Sequence, residues 1–159
     1  MTLPPLWPVF DGHNDLLLNL WLQHDDDPVA AFYSRVTPGH LDFSRMRRGG
    51  FFGGLFAVFI PPVSYIAQMR NQTQDEAQAA FDPLAIAERQ IAILQQLEQA
   101  SQGQLRICRT ATEIEQCRLN RQIAAVLHIE GAGMIDAELT QLEAFYRLGV
   151  RSIGPFWNL

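Results

Sequence analysis

Val9-Phe10-Asp11-Gly12-His13-Asn14-Asp15 is an apolar run that closes on a histidine and a carboxylate two residues apart. Read as a strand from Pro8 to His13, its period-2 alternation places His13 and Asp15 on one side at the C-terminal end, where both can hold one metal ion. In parallel α/β folds, ligands gather at that end of the strands. A single His-x-Asp is also common as a hydrogen-bonded polar pair, so its meaning depends on what the rest of the chain sets beside it.

Working outward, Leu16 to Leu22 reads as a short helix and His24-Asp25-Asp26-Asp27-Pro28 as a polar loop whose adjacent carboxylates are solvated. Residues Val36 to Arg48 are mixed, with Pro38-Gly39 a turn. They lead into Gly49 to Pro62, a run apolar on both sides, as in a parallel strand covered on both faces. Its glycine pairs predict close approach of neighbouring chain, and the double proline ends it. Asn71 to Ala80 is polar, a loop or the start of a helix. Asp82-Pro83 supplies an N-cap and a first-turn proline for a helix to about Ala100, with Leu84, Ala87, Ile91, Leu94 and Leu97 on its core face.

Gly103 closes that helix and Leu105 to Cys108 reads as a short strand. Thr110 and Glu113 form a capping box for a helix to about Leu119. Ile123 to Glu130 is a strand, apolar until its end. Asp136 is placed as the cap of a further helix whose buried stripe is Leu139, Leu142, Phe145 and Tyr146, stopped by Gly149, and Val150 to Phe156 begins another strand. Strand and helix alternate throughout, with four or five strands, which is the signature of a parallel α/β layout in a single domain over residues 1–159.

Composition narrows the function classes. With 159 residues, 48% hydrophobic and 18% charged, the chain can bury one domain-sized core. A net charge of −5 and no lysine, the twelve cations being arginines spread along the chain, argue against a nucleic-acid partner. Cys108 and Cys117 fit no zinc-knuckle or disulfide pattern and read as buried reduced thiols. No signal-peptide pattern or bilayer-length apolar run is found, so the expectation is a cytoplasmic protein that does not engage a membrane.

Glu130 occupies the same kind of place as His13, at the C-terminal end of an apolar strand. Parity sets Val126, His128 and Glu130 on one face of that strand and Ala125, Leu127 and Ile129 on the other. A buried carboxylate at a strand end is costly unless paired, protonated or metal-bound, so pairing Glu130 with His13 and Asp15 across a parallel sheet is economical. His128 lies one layer deeper and reads as a hydrogen-bonded interior residue.

Phe10 to Asp15, the glycine-rich strand Gly50 to Pro61, Leu127-His128-Ile129-Glu130-Gly131 and Tyr146 to Arg151 together resemble the membrane (renal) dipeptidase family, the M19 metallopeptidases of the amidohydrolase superfamily. The resemblance runs over nearly the whole chain. It implies a (β/α)8 TIM-type barrel with two zinc ions, His13 and Asp15 binding one and Glu130 bridging both as the catalytic carboxylate. It also implies hydrolysis of a dipeptide or related small amide. Such a barrel needs about 250 residues, so the chain is expected to supply its N-terminal half or slightly more. The further family ligands, two histidines with a substrate-binding arginine and an aspartate, are not in this chain. Trp157 stands where the dipeptidases carry a substrate-binding histidine, so Trp157 and Asn158 are the expected substrate contacts. The alternative is a half-barrel structural or subunit-binding module without catalysis, whose open sheet edges favour a homo-oligomer or another partner.

Overall fold

The computed structural model describes residues 7–34 and 39–156; Trp157 and Asn158 lie outside the described residues. The strands are β1 (Val9–Asn14), β2 (Phe51–Phe59), β3 (Leu105–Ile107), β4 (Ile123–Glu130) and β5 (Val150–Gly154). Between β1 and β2 lie α1 (Leu16–Gln23), α2 (Pro28–Tyr33) and α3 (Phe43–Arg48). Between β2 and β3 lie α4 (Val63–Arg70), α5 (Gln74–Ala79) and α6 (Pro83–Ala100), followed by α7 (Ala111–Leu119) before β4 and α8 (Thr140–Leu148) before β5.

Every pairing in the sheet is parallel. β1 pairs with β2 and β2 with β4, while β4's other edge is shared: β3 runs beside Ile123 to Ala125 and β5 beside Leu127 to Glu130. The long strands β1, β2, β4 and β5 therefore stand in chain order, as the opening strands of a parallel barrel must, with β3 as a short extra along the lower half of β4.

Alternation decides the two faces. Phe56 and Val58 of β2 and Ala125, Leu127 and Ile129 of β4 enter the main core with the α1 leucines and with Ile91, Leu94 and Leu97 of α6. Leu55, Ala124 and Val126 face the other way and pack with Cys108, Cys117 and Ile114. Both cysteines are free and buried, their sulfurs 3.6 Å apart. Burial, then the hydrogen bond to Cys117, pushes the Cys108 thiol up to about 12, so Cys108 stays a protonated thiol in the core.

The helix starts follow their caps. Asp82 accepts from the Leu84 and Ala85 amides ahead of Pro83, and Thr110 with Glu113 closes a capping box on α7. α2 begins by the same Asp-Pro device: Asp27 accepts from Ala30 N ahead of Pro28, so the polar loop ends in a helix. α3 and α4 were not anticipated. α3 is capped by Asp42, which accepts from Arg45 N, and α4 starts directly on Pro62.

Two expectations for α8 need correction. The helix starts at Thr140, four residues past Asp136, whose Oδ1 accepts from Thr140 N at 2.8 Å across a turn in which Leu139 is left-handed. Of the expected stripe only Phe145 is buried; Leu139 and Tyr146 are 56% and 60% exposed. The stripe faces outward because β5 is an outer strand and no described element lies beyond it. The Arg151 guanidinium covers the Tyr146 ring at 3.9 Å instead.

The glycine pair in β2 is a packing requirement. A Cβ on Gly53 would stand 2.7 Å from the Ala124 carbonyl oxygen and 2.9 Å from Ala124 Cβ, and one on Gly54 2.9 Å from Asp11 O. Gly53→Ala is expected to cost the full-length protein about 1–3 kcal/mol. Gly12→Ala, where a Cβ meets nothing within 4 Å, should stay within about 0.5 kcal/mol. Urea midpoints compare them, and equal values would contradict the close β2–β4 contact.

Candidate metal centre

β1 and β4 flank β2, and the register sets Asn14 opposite Phe56 and Glu130 opposite Phe59, so both strand ends emerge on the same rim. Ala57 lies between them on β2, fully buried, and its small side chain leaves room for longer ones to meet above the strand. His13 Nε2 is 3.3 Å from Asp15 Oδ1 and 3.5 Å from Glu130 Oε2, and all three donors lie within 4.8 Å of one another.

Asp15 lies just past the end of β1 and occupies the N-cap position of α1, yet its side chain makes no capping bond. Asn14 takes that place, its Oδ1 accepting from Leu16 N at 3.4 Å while its Nδ2 donates to Leu55 O at 3.2 Å. This buried amide ties the end of β1 to β2 and leaves the Asp15 carboxylate for the site. Asp11 braces the same turn by accepting from His13 N at 3.3 Å. Asn14 had no sequence signal beyond its place between the two ligand candidates.

His128 is outside the donor group. Its Nδ1 is 2.9 Å from Ser152 Oγ, and its ring meets that of His13 edge-on with centroids 6.1 Å apart. Burial first, then the neighbouring His13, lowers its pKa, against an opposing pull from Glu130. It is the hydrogen-bonded interior residue that the parity of β4 predicts. The acidic loop is likewise structural: Asp25 takes Arg89 Nε at 2.6 Å, and Asp27 caps α2.

The donor set fits a metal ion. Zinc binds imidazole and carboxylate at about 2.0–2.2 Å, so two ligands in a tetrahedral shell stand about 3.3–3.5 Å apart. The two distances from His13 Nε2 are compatible with such a shell, and the 3.3 Å one is also that of a hydrogen bond between His13 and Asp15. Side-chain exposures of 40% for His13 and 48% for Asp15 leave the ion's remaining positions accessible.

The model of the membrane dipeptidase family, peptidase family M19, matches residues 3–159. The chain belongs to that family. An uncharacterised protein from the PQQ-III 3' region of Acinetobacter calcoaceticus is 43% identical over 155 residues, which cover 95% of this chain and 49% of the relative. Mouse dipeptidase 3 is 24% identical, covering 91% of this chain and 26% of its own length. Among solved structures, the Rhodobacter sphaeroides metallopeptidase liganded with a phosphinate mimic of L-Ala-D-Ala superposes with a TM-score of 0.81 at 34% identity, over 96% of this chain and 46% of that one. The chain thus spans half or less of the length of these M19 relatives and carries the N-terminal portion of a mixed α/β fold with a parallel sheet, similar to the M19 dipeptidase barrels.

Proposed function

We propose that the whole protein is a metal-dependent hydrolase that cleaves the amide bond of dipeptides or similarly small amides, and that His13, Asp15 and Glu130 belong to its metal centre. The convergence of three donors from two strand ends, at separations that suit a zinc shell, carries this reading. Zinc held there supplies Lewis-acid polarisation of a carbonyl and a hydroxide at neutral pH.

The chain's own residues divide the remaining work. His13 and Asp15, on one tight turn braced by Asn14 and Asp11, fix one side of the centre. Glu130 has Oε2 3.5 Å from His13 Nε2, and its carboxylate would hold a cation or take the proton that amide hydrolysis must move. The two-zinc form is what the resemblance to this family implies, with the remaining ligands assigned to other parts of the whole protein.

The direct test is to strip the full-length protein with a chelator, reload it with zinc, and follow amine release from Ala-Ala and Leu-Ala. Hydrolysis should vanish on stripping and return with about two zinc equivalents. A fully metallated protein that cleaves neither substrate would defeat the proposal.

A further inference from the structure

The double proline after β2 does more than end a strand. A cavity of about 360 Å³ is lined in part by the three donors His13, Asp15 and Glu130. Leu18, Phe59, Pro61, Pro62 and Tyr65 form the rest of its lining. That volume is at the lower end of the range for small-ligand pockets, about 300–1,000 Å³, and suits a dipeptide-sized molecule.

The wall is rigid by construction. Phe59 is clamped by the buried amide of Gln90, which accepts from Phe59 N at 3.1 Å and donates to Phe59 O at 2.7 Å. The two prolines have fixed φ angles, and α4 starts directly on Pro62, with Tyr65 N donating to Pro62 O at 2.9 Å. Tyr65 is thereby held in the first turn of α4, 40% exposed, with its phenol unpartnered among the described residues. The lining carries no arginine, and its carboxylates and histidine are the proposed metal donors.

Resting on the amide-hydrolase reading above, we propose that this wall, with Tyr65 as its outer limit, determines specificity by accepting the apolar side chain of the residue that carries the scissile carbonyl. A carbonyl set against the donors projects its own substituent first onto the adjoining wall. An aliphatic or aromatic group there loses water against carbon, whereas a charged one finds no charged partner among Leu18, Phe59, Pro61, Pro62 and Tyr65. Preformed walls convert such differences into selectivity because little ordering remains on binding.

The test measures kcat/KM of the zinc-loaded full-length protein on Leu-Ala, Phe-Ala, Ala-Ala and Asp-Ala. It also measures calorimetric affinities for non-hydrolysable phosphinate analogues of Leu-Ala and Ala-Ala. Leu-Ala and Phe-Ala should exceed Asp-Ala at least about tenfold, since even one methylene in an apolar pocket is worth about 10-fold or more. Tyr65→Ala should lower the Leu-Ala to Ala-Ala ratio about tenfold, through KM and in the phosphinate affinities alike. Tyr65→Phe should keep the ratio. Hydrolysis with a ratio that Tyr65→Ala leaves unchanged would overturn this inference alone, and absence of hydrolysis of every dipeptide would overturn the amide-hydrolase reading with it.

Discussion

His13→Ala and Asp15→Ala are each expected to lower the zinc affinity of the full-length protein by more than about 100-fold and to remove amide hydrolysis with it. Loss of a partner that merely orients a ligand costs about 10–100-fold, and these variants delete a ligand itself. The two residues share the Asp11–Leu16 segment at the end of β1, whose other bonds, Asp11 to His13 N and Asn14 to Leu16 N and Leu55 O, do not use the deleted groups. The turn should therefore survive either substitution, so the loss reads on the metal and not on folding. Asp26→Ala, in the exposed acidic loop, is the matched control and should bind zinc as the unmodified protein does. Chelator competition and elemental analysis measure this. Full zinc occupancy in both site variants would remove His13 and Asp15 from the centre.

The parts that were legible in the sequence share a physical cause. α6 could be placed from Pro83 to Ala100 because eighteen residues are long enough to show a 3.6-residue stripe between two strong end signals. β4 could be placed because Ile123 to Leu127 is an uninterrupted apolar run, as in a strand covered on both faces, and its parity then put Glu130 on the site side and Leu127 in the core. The short helices escaped for the opposite reason. α2 opens on the same Asp-Pro signature as α6, but six residues carry no readable period, and the acidic run before it looked like plain loop. α8 misled because Leu139, Leu142 and Tyr146 have the spacing of a core stripe. Periodicity shows that a face is apolar, not what covers it, and here no described element does. At the site, the three donors were legible because each ends an apolar strand or adjoins one. Asn14 was not, because its role is a pair of backbone bonds that exist only once β1 lies against β2.

Phe56→Ala should be the most damaging single change in the core, and zinc should partly reverse it. Phe56 is fully buried, sits opposite Asn14 in β1 and Leu127 in β4, and meets Phe51 edge-on with centroids 6.3 Å apart. Removing a buried phenyl costs about 3–5 kcal/mol, the sum of lost transfer energy and the cavity left among strands that cannot collapse. Domains have about 5–15 kcal/mol in all, so the variant should be marginal without metal. An ion that binds only the folded state adds RT ln(1 + [L]/Kd), about 2.7 kcal/mol at 100 times Kd, and should return a large part of that loss. The rescue depends on the centre that β1 and β4 hold on either side of Phe56. It should therefore be absent in the double variant Phe56→Ala/His13→Ala. Urea midpoints of the full-length protein and both variants, each with and without zinc, decide the matter. Equal stabilisation of single and double variants would place the ion elsewhere, and a Phe56→Ala cost below about 1 kcal/mol would mean that the strands do close over the cavity.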